Sequence, residues 1–119
     1  MVKSGYILIT LNLDKIFDSK SIAVVGASDK EGSVGYTLIK NLTELGYKGK
    51  VYPVNIRKKE ILGFKAYQTV DQLPETVNLA IIATPAKTVP DVVEQCGKAG
   101  ILGIIIISAG FKEVGPEGK

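Results

Sequence analysis

The sequence predicts a single α/β domain with a doubly wound, mainly parallel sheet. Three observations carry this prediction. Residues 21–25 are a continuous apolar run rather than an alternating one, the pattern of a strand buried on both faces of a parallel sheet, and residues 79–83 and 103–107 are further apolar runs of strand length. Segments with helical periodicity lie between such runs, and alternation of the two implies right-handed crossovers. A loop with three glycines joins the first run to the first periodic segment.

The elements follow in order. Ser21-Ile22-Ala23-Val24-Val25 is the first strand and ends at Gly26. Val34, Leu38, Leu42 and Leu45 recur at spacings of four, four and three, one face of a helix that Gly46 closes. Residues 50–55 form a second strand, with Pro53 near its end where a missing N–H does little harm. Residues 57–60 are a polar turn, residues 64–67 a short edge segment, and residues 71–74 a brief helical turn. The third strong strand, residues 79–83, ends at Thr84-Pro85. Thr88 is then placed to N-cap a second helix with Asp91 as its reciprocal partner. Val89, Val92, Val93 and Cys96 make that helix's apolar face, Gly100 ends it, and residues 103–107 form the fourth strand. This is a Rossmann-like order. In most such folds another helix and strand follow, so the chain reads as cut short at its C-terminal end, or as borrowing an edge from a partner.

The totals narrow the function. A chain of 119 residues supports one core and no second one. The absence of histidine removes Ser-His-Asp and Cys-His machinery, histidine metal sites and phosphohistidine from this chain. No pair of carboxylates stands out as an acid–base set. The single cysteine makes no internal disulfide, which points to a reducing cytoplasm; Cys96 itself reads as a packed core thiol. A net charge of +3 suits a small anionic ligand and is too weak and scattered to argue for nucleic acid, for which five Tyr, three Phe and no Trp also make a thin stacking set. No apolar run reaches the roughly 18 residues that span a bilayer. Residues 6–9 are too short an apolar run, without a small-residue cleavage pattern, to be a signal peptide.

The chemistry is expected at the glycine loop. First-turn amides of a helix lack partners within the helix, and the helix dipole puts partial positive charge there. Gly26 allows the sharp turn. Gly32 and Gly35 are expected to let the backbone and the helix start at Ser33 and Val34 approach a diphosphate. Ser28 and Ser33 add hydroxyls, and Ala27 completes the loop. The spacing fits neither G-x-G-x-x-G nor G-x-x-x-x-G-K-[ST], since Ala27-Ser28 follow Gly26 and Ser33 follows Gly32. After the second strand, where an NAD enzyme commonly carries an acidic hook for the ribose, stand Asn55, Arg57, Lys58 and Lys59. That basic run suits a ribose with an extra phosphate, either the 3′-phosphate of coenzyme A or the 2′-phosphate of NADP. Taken alone, such a run is most often a solvated turn. Thr84-Pro85-Ala86 and Ser108-Ala109-Gly110 fall at the carboxyl ends of their strands, where open α/β sheets bind ligands, and are placed to line a pantetheine arm.

Five segments in order carry a resemblance: Val24-Val25-Gly26-Ala27-Ser28, Gly32-Ser33-Val34-Gly35, residues 51–55, residues 80–86, and residues 107–111. Together they resemble the CoA-binding domain of ADP-forming acyl-CoA synthetases, a domain related to the succinyl-CoA synthetase α subunit and to small stand-alone CoA-binding proteins. The resemblance covers about residue 13 to residue 119; residues 1–12 have no counterpart and read as an N-terminal extension. It implies that CoA or acyl-CoA lies across the strand ends, its phosphates on residues 26–28 and 33–35. A basic residue after Asn55 would be near the nucleotide phosphates, and Ser108-Ala109-Gly110 near the CoA chain. Ile56 stands where the family usually has Pro, and Arg57 where it usually has Lys, which leaves Arg57 and Lys58 as alternatives. The implied partners are CoA and the other domains or subunits of a synthetase, with no nucleic acid and no membrane. No activity is expected of the chain alone. An NADP-binding oxidoreductase domain and a non-catalytic regulatory module are the competing readings.

Overall fold

The computed structural model describes residues 18–107. The proposed extension (residues 1–12), Ser108-Ala109-Gly110 and the polar tail lie outside the described residues.

Four strands form one parallel sheet: β1 (Ser21–Val25), β2 (Lys50–Val54), β5 (Leu79–Ile82) and β6 (Gly103–Ile106), in the spatial order β2-β1-β5-β6. Helix α1 (Val34–Glu44) crosses from β1 to β2, and helix α2 (Val89–Lys98) from β5 to β6. The chain thus leaves β1 to one side and returns past it to the other. With both crossovers right-handed, that reversal puts the two helices on opposite faces.

The side chains show this division. Ile22, Val24, Leu79 and Ile81 point to one face and pack with Leu38, Ile39 and Leu42 of α1. Ala23, Val25, Ala80 and Ile82 point to the other and pack with Val92 and Cys96 of α2. Every residue of β1 is buried, as a continuous apolar run requires when both faces are covered. Each such aliphatic side chain contributes about 1.5–3 kcal/mol through burial, which makes β1 and β5 the hydrophobic centre of the domain.

Both helices end in the same way. At α1, Leu45 is the C-cap and Gly46 takes φ 81°, with the amides of Gly46 and Tyr47 donating to Thr43 and Leu42 carbonyls. At α2, Gly100 takes φ 84°, and Gly100 and Ile101 donate to Gly97 and Cys96 carbonyls. These paired bonds satisfy carbonyls that the helix leaves open. Leu45, expected on the buried face, is past the last helical turn and is 51% exposed.

Two further expectations change. Thr88 does not cap α2 with its side chain. A 3₁₀ turn, Ala86–Thr88, already precedes the helix, Thr88 has helical angles, and its hydroxyl donates back to the Pro85 carbonyl at 2.7 Å. The capping pair with Asp91 is therefore not formed, because an N-cap needs extended backbone to turn its oxygen toward the following amides. The residues after β2 are more than a polar turn. Glu60–Ile61 (β3) and Phe64–Lys65 (β4) form an antiparallel hairpin, turned by Leu62 and Gly63 with φ 50° and 87°. Its return passes along β2, where Tyr67 bridges to Val54 and shields that sheet edge. The brief helical turn lies at Val70–Gln72.

Candidate functional site

The strand register makes the carboxyl edge of the sheet flush. Val54, Val25, Ile82 and Ile106 lie in one row, so the segments that follow them open at one level. Between β1 and its neighbours, where the chain reverses direction, a cleft of about 540 Å³ forms, within the ordinary size range of ligand sites.

Gly26 shapes its floor. It has φ 92°, and a Cβ there would come within 2.9 Å of the Ala83 backbone and 3.1 Å of Thr84 Cγ2. The β1 and β5 loops therefore touch through a missing side chain. Gly35 does the same for α1: a Cβ would stand 2.1 Å from the Gly26 carbonyl oxygen and 2.9 Å from Ala27 Cα. Its lack of a side chain serves the seating of the helix on the strand end, a role distinct from the expected approach to a ligand. Gly32, by contrast, has open space around it and needs only its positive φ.

The loop amides divide into two sets. Those of Gly26 and Ala27 donate to the Val54 carbonyl, at 3.0 and 3.2 Å. The Tyr36 amide donates to Ser33 Oγ, the N-cap of α1. The amides of Ser28, Val34 and Gly35 have no acceptor among the described residues and sit where the helix dipole favours an anion. The two serines also differ. Ser33 donates its proton to the Lys30 carbonyl at 2.8 Å. Ser28 Oγ only accepts, from the Lys30 amide at 2.9 Å, which leaves its O–H to give.

Asn55 fastens the second loop to the first. Its Nδ2 donates to the Ala27 carbonyl at 2.9 Å, and its Oδ1 accepts from the amides of Arg57 and Lys58 at 2.7 and 2.8 Å. One side chain thus closes a turn on itself and ties it across the cleft. The two cations then part. Lys58 Nζ lies 3.2 Å from Asp29 Oδ2, whereas Arg57 lines the cleft and its guanidinium has no partner among the described residues.

Of the residues expected at the site, Gly26, Ala27, Ser28, Asn55, Arg57, Thr84 and Pro85 line the cleft. Gly32, Ser33, Val34, Gly35, Lys58 and Ala86 lie outside its lining, and Ser108-Ala109-Gly110 lie outside the described residues. Sequence reading missed the opposite wall. Thr88, Val92 and Gln95 stand at positions i, i+4 and i+7 of one helical face, a spacing that could have flagged them. Gln68 and Thr69 follow the edge segment at residues 64–67, and Val25, Val54 and Ile56 complete an apolar side. Thr84 Oγ1 is buried without a partner among the described residues.

Among the described residues, the cleft sets donors that suit an anion beside an apolar side. Cys96 is fully buried in the core and burial pushes its thiol up, away from the nucleophilic form. No group of acidic and cysteine residues suited to a metal ion occurs among the described residues, and no described helix is long and apolar enough to cross a membrane.

A parallel, doubly wound sheet with a glycine turn and a cleft at its switch point defines a Rossmann-like domain. The family profile described as "CoA binding domain" matches residues 20–114, and the chain belongs to that family. It is 50% identical over 113 residues to an acetate–CoA ligase [ADP-forming] I subunit alpha of Pyrococcus furiosus, covering 92% of this chain and 24% of that protein. It is 51% identical over 106 residues to an acetate–CoA ligase [ADP-forming] I of Archaeoglobus fulgidus, covering 89% of this chain and 15% of the relative. The chain therefore spans a quarter or less of these relatives. Among solved structures, it superposes with a TM-score of 0.77 and 42% identity on the dinucleotide-forming acetyl-coenzyme A synthetase 1 of Ca. Korarchaeum cryptofilum, determined with phosphate and ADP, covering 89% of this chain and 23% of that one. A hypothetical protein of Pyrococcus horikoshii, with 28% identity and a TM-score of 0.69, is matched over 87% of this chain and 88% of its own.

Proposed function

We propose that this chain binds coenzyme A or acyl-CoA in the carboxyl-edge cleft, as the CoA-binding part of an ADP-forming acyl-CoA synthetase. One observation supports this most: Arg57, whose guanidinium has no partner among the described residues, lines the same cleft as Ser28, whose amide has no acceptor among them and whose O–H is left to give. The cleft thus offers two separate places for negative charge, as a ligand with a diphosphate and a 3′-phosphate requires. In this reading the diphosphate meets the loop amides and the Ser28 hydroxyl. Arg57 meets the 3′-phosphate through a planar fork. The pantetheine arm runs past Thr84-Pro85-Ala86 toward Ser108-Ala109-Gly110.

In a complete assembly the reaction would take acyl-CoA, ADP and phosphate to the free acid, CoA and ATP, with other domains or subunits supplying the phosphoryl-transfer groups. This chain has no histidine to carry a phosphoryl group, so its own share is binding and orientation. Calorimetry with CoA, dephospho-CoA and NADPH tests the proposal. CoA should bind best, dephospho-CoA more weakly, and NADPH not measurably. Equal affinity for CoA and dephospho-CoA would remove the assigned role of Arg57, and preference for NADPH would replace the ligand.

A further inference from the structure

The salt bridge at the rim of the cleft has a place in ligand binding that neither of its members suggests alone. Asp29 follows Ser28 and Lys58 follows Arg57; Ser28 and Arg57 line the cleft, and their successors do not. A carboxylate next to an anion site opposes the anion. Asp29 is that carboxylate, and Lys58 covers it at 3.2 Å, with both side chains about half exposed. Asn55 Oδ1 fixes the amides of both Arg57 and Lys58. The two successive cations are thereby held on one anchored turn, one beside the cleft and the other across to the opposing loop.

Resting on the CoA reading above, we infer that Lys58 is a positioning residue: it neutralises Asp29 and leaves Arg57 as the cation that meets the ligand. An exposed pair adds little to folding. A bare charge beside a multiply charged ligand, however, acts on binding at longer range than any hydrogen bond, and salt screens it. Lys58 therefore affects affinity through Asp29 and not by touching phosphate.

The test is a double-mutant cycle in the intact chain, with CoA titrated by calorimetry at low and high salt. Thermal melts verify that each variant folds. Lys58→Ala should weaken CoA binding about three- to fivefold at low salt, the range expected for uncovering one exposed charge near an anion. Asp29→Asn should bind at least as well as the parent, and the double variant should return to the parent's affinity. The Lys58→Ala deficit should shrink at high salt, which the loss of a purely mechanical tie would not do. An equal deficit in the Asp29→Asn background would mean that Lys58 contacts the ligand directly, and a Lys58→Ala variant identical to the parent would mean that the pair is inert; either result overturns the inference while leaving CoA binding intact. A folded parent that binds no CoA removes the cofactor reading itself, and this role with it.

Discussion

The two helices that start at the carboxyl edge do so by different means. At α1 the chain turns at Gly26, extends through Ser33, and enters the helix with a side-chain cap to Tyr36, leaving the Val34 and Gly35 amides without acceptors among the described residues. At α2 the chain enters through a 3₁₀ turn with Pro85 before it and Pro90 in the first turn, and the Thr88 hydroxyl turns back to Pro85. Proline has no N–H to offer. The difference gives the cleft a side with donors suited to charge, at Ser28 and Arg57, and a side built on Thr88, Val92 and Gln95 that carries no charge. It follows that changes at the first crossover should disturb both folding and anion binding, and matched changes at the second should disturb little.

The largest contrast lies between the glycines of the two helices. Gly35→Ala puts a methyl group 2.1 Å from the Gly26 carbonyl oxygen, so α1 must shift; a loss of about 2–4 kcal/mol is expected in denaturant unfolding. Gly97→Ala in α2 meets nothing within 4 Å, and helix propensity alone predicts a gain of about 0.5–1 kcal/mol. If both substitutions prove equally mild, the tight seating of α1 is wrong.

Arg57→Ala comes next and reads the charged side directly. Losing charge-assisted bonds to a phosphate should cost CoA affinity about ten- to a hundredfold, leave dephospho-CoA unchanged, and leave the melting temperature unchanged. Arg57→Lys should recover part of the loss, since a point charge replaces a fork. Asn55→Ala is smaller and of another kind. It removes the bond to Ala27 and the anchor for two amides, for about 1–3 kcal/mol of stability, and it should weaken CoA and dephospho-CoA alike.

Legibility in the sequence follows the same division. The four sheet strands and two long helices were readable because their signals are local: continuous apolar runs, a 3.6-residue period, and Gly46 and Gly100 past the helix ends. The edge segment at residues 64–67 was also legible, but its pairing with Glu60–Ile61 was not, because the two-residue turn begins with Leu62, where positive φ normally selects Asn, Asp or Gly. The charged half of the site was readable because glycines and basic residues stand next to strand ends. The apolar half was not, since Val54, Ile56 and Val92 look like any core residue until the fold shows which of them face a cleft. Lys58 and Arg57 could not be separated from sequence, because the distinction depends on Asp29, which is 29 positions from Lys58.

The smallest effect separates the caps themselves. Ser33 Oγ accepts from Tyr36 in the geometry of an N-cap and also donates to Lys30, so Ser33→Ala should cost about 1 kcal/mol. Thr88→Ala loses one exposed hydroxyl contact to Pro85 and should stay within about 0.5 kcal/mol of the parent. Both are read from unfolding midpoints at constant slope. The sign of this pair matters more than its size: the sequence pointed to a cap at Thr88, with Asp91 three residues on, and the structure forms one at Ser33. A larger loss at Thr88 would restore the capping box that its backbone angles exclude.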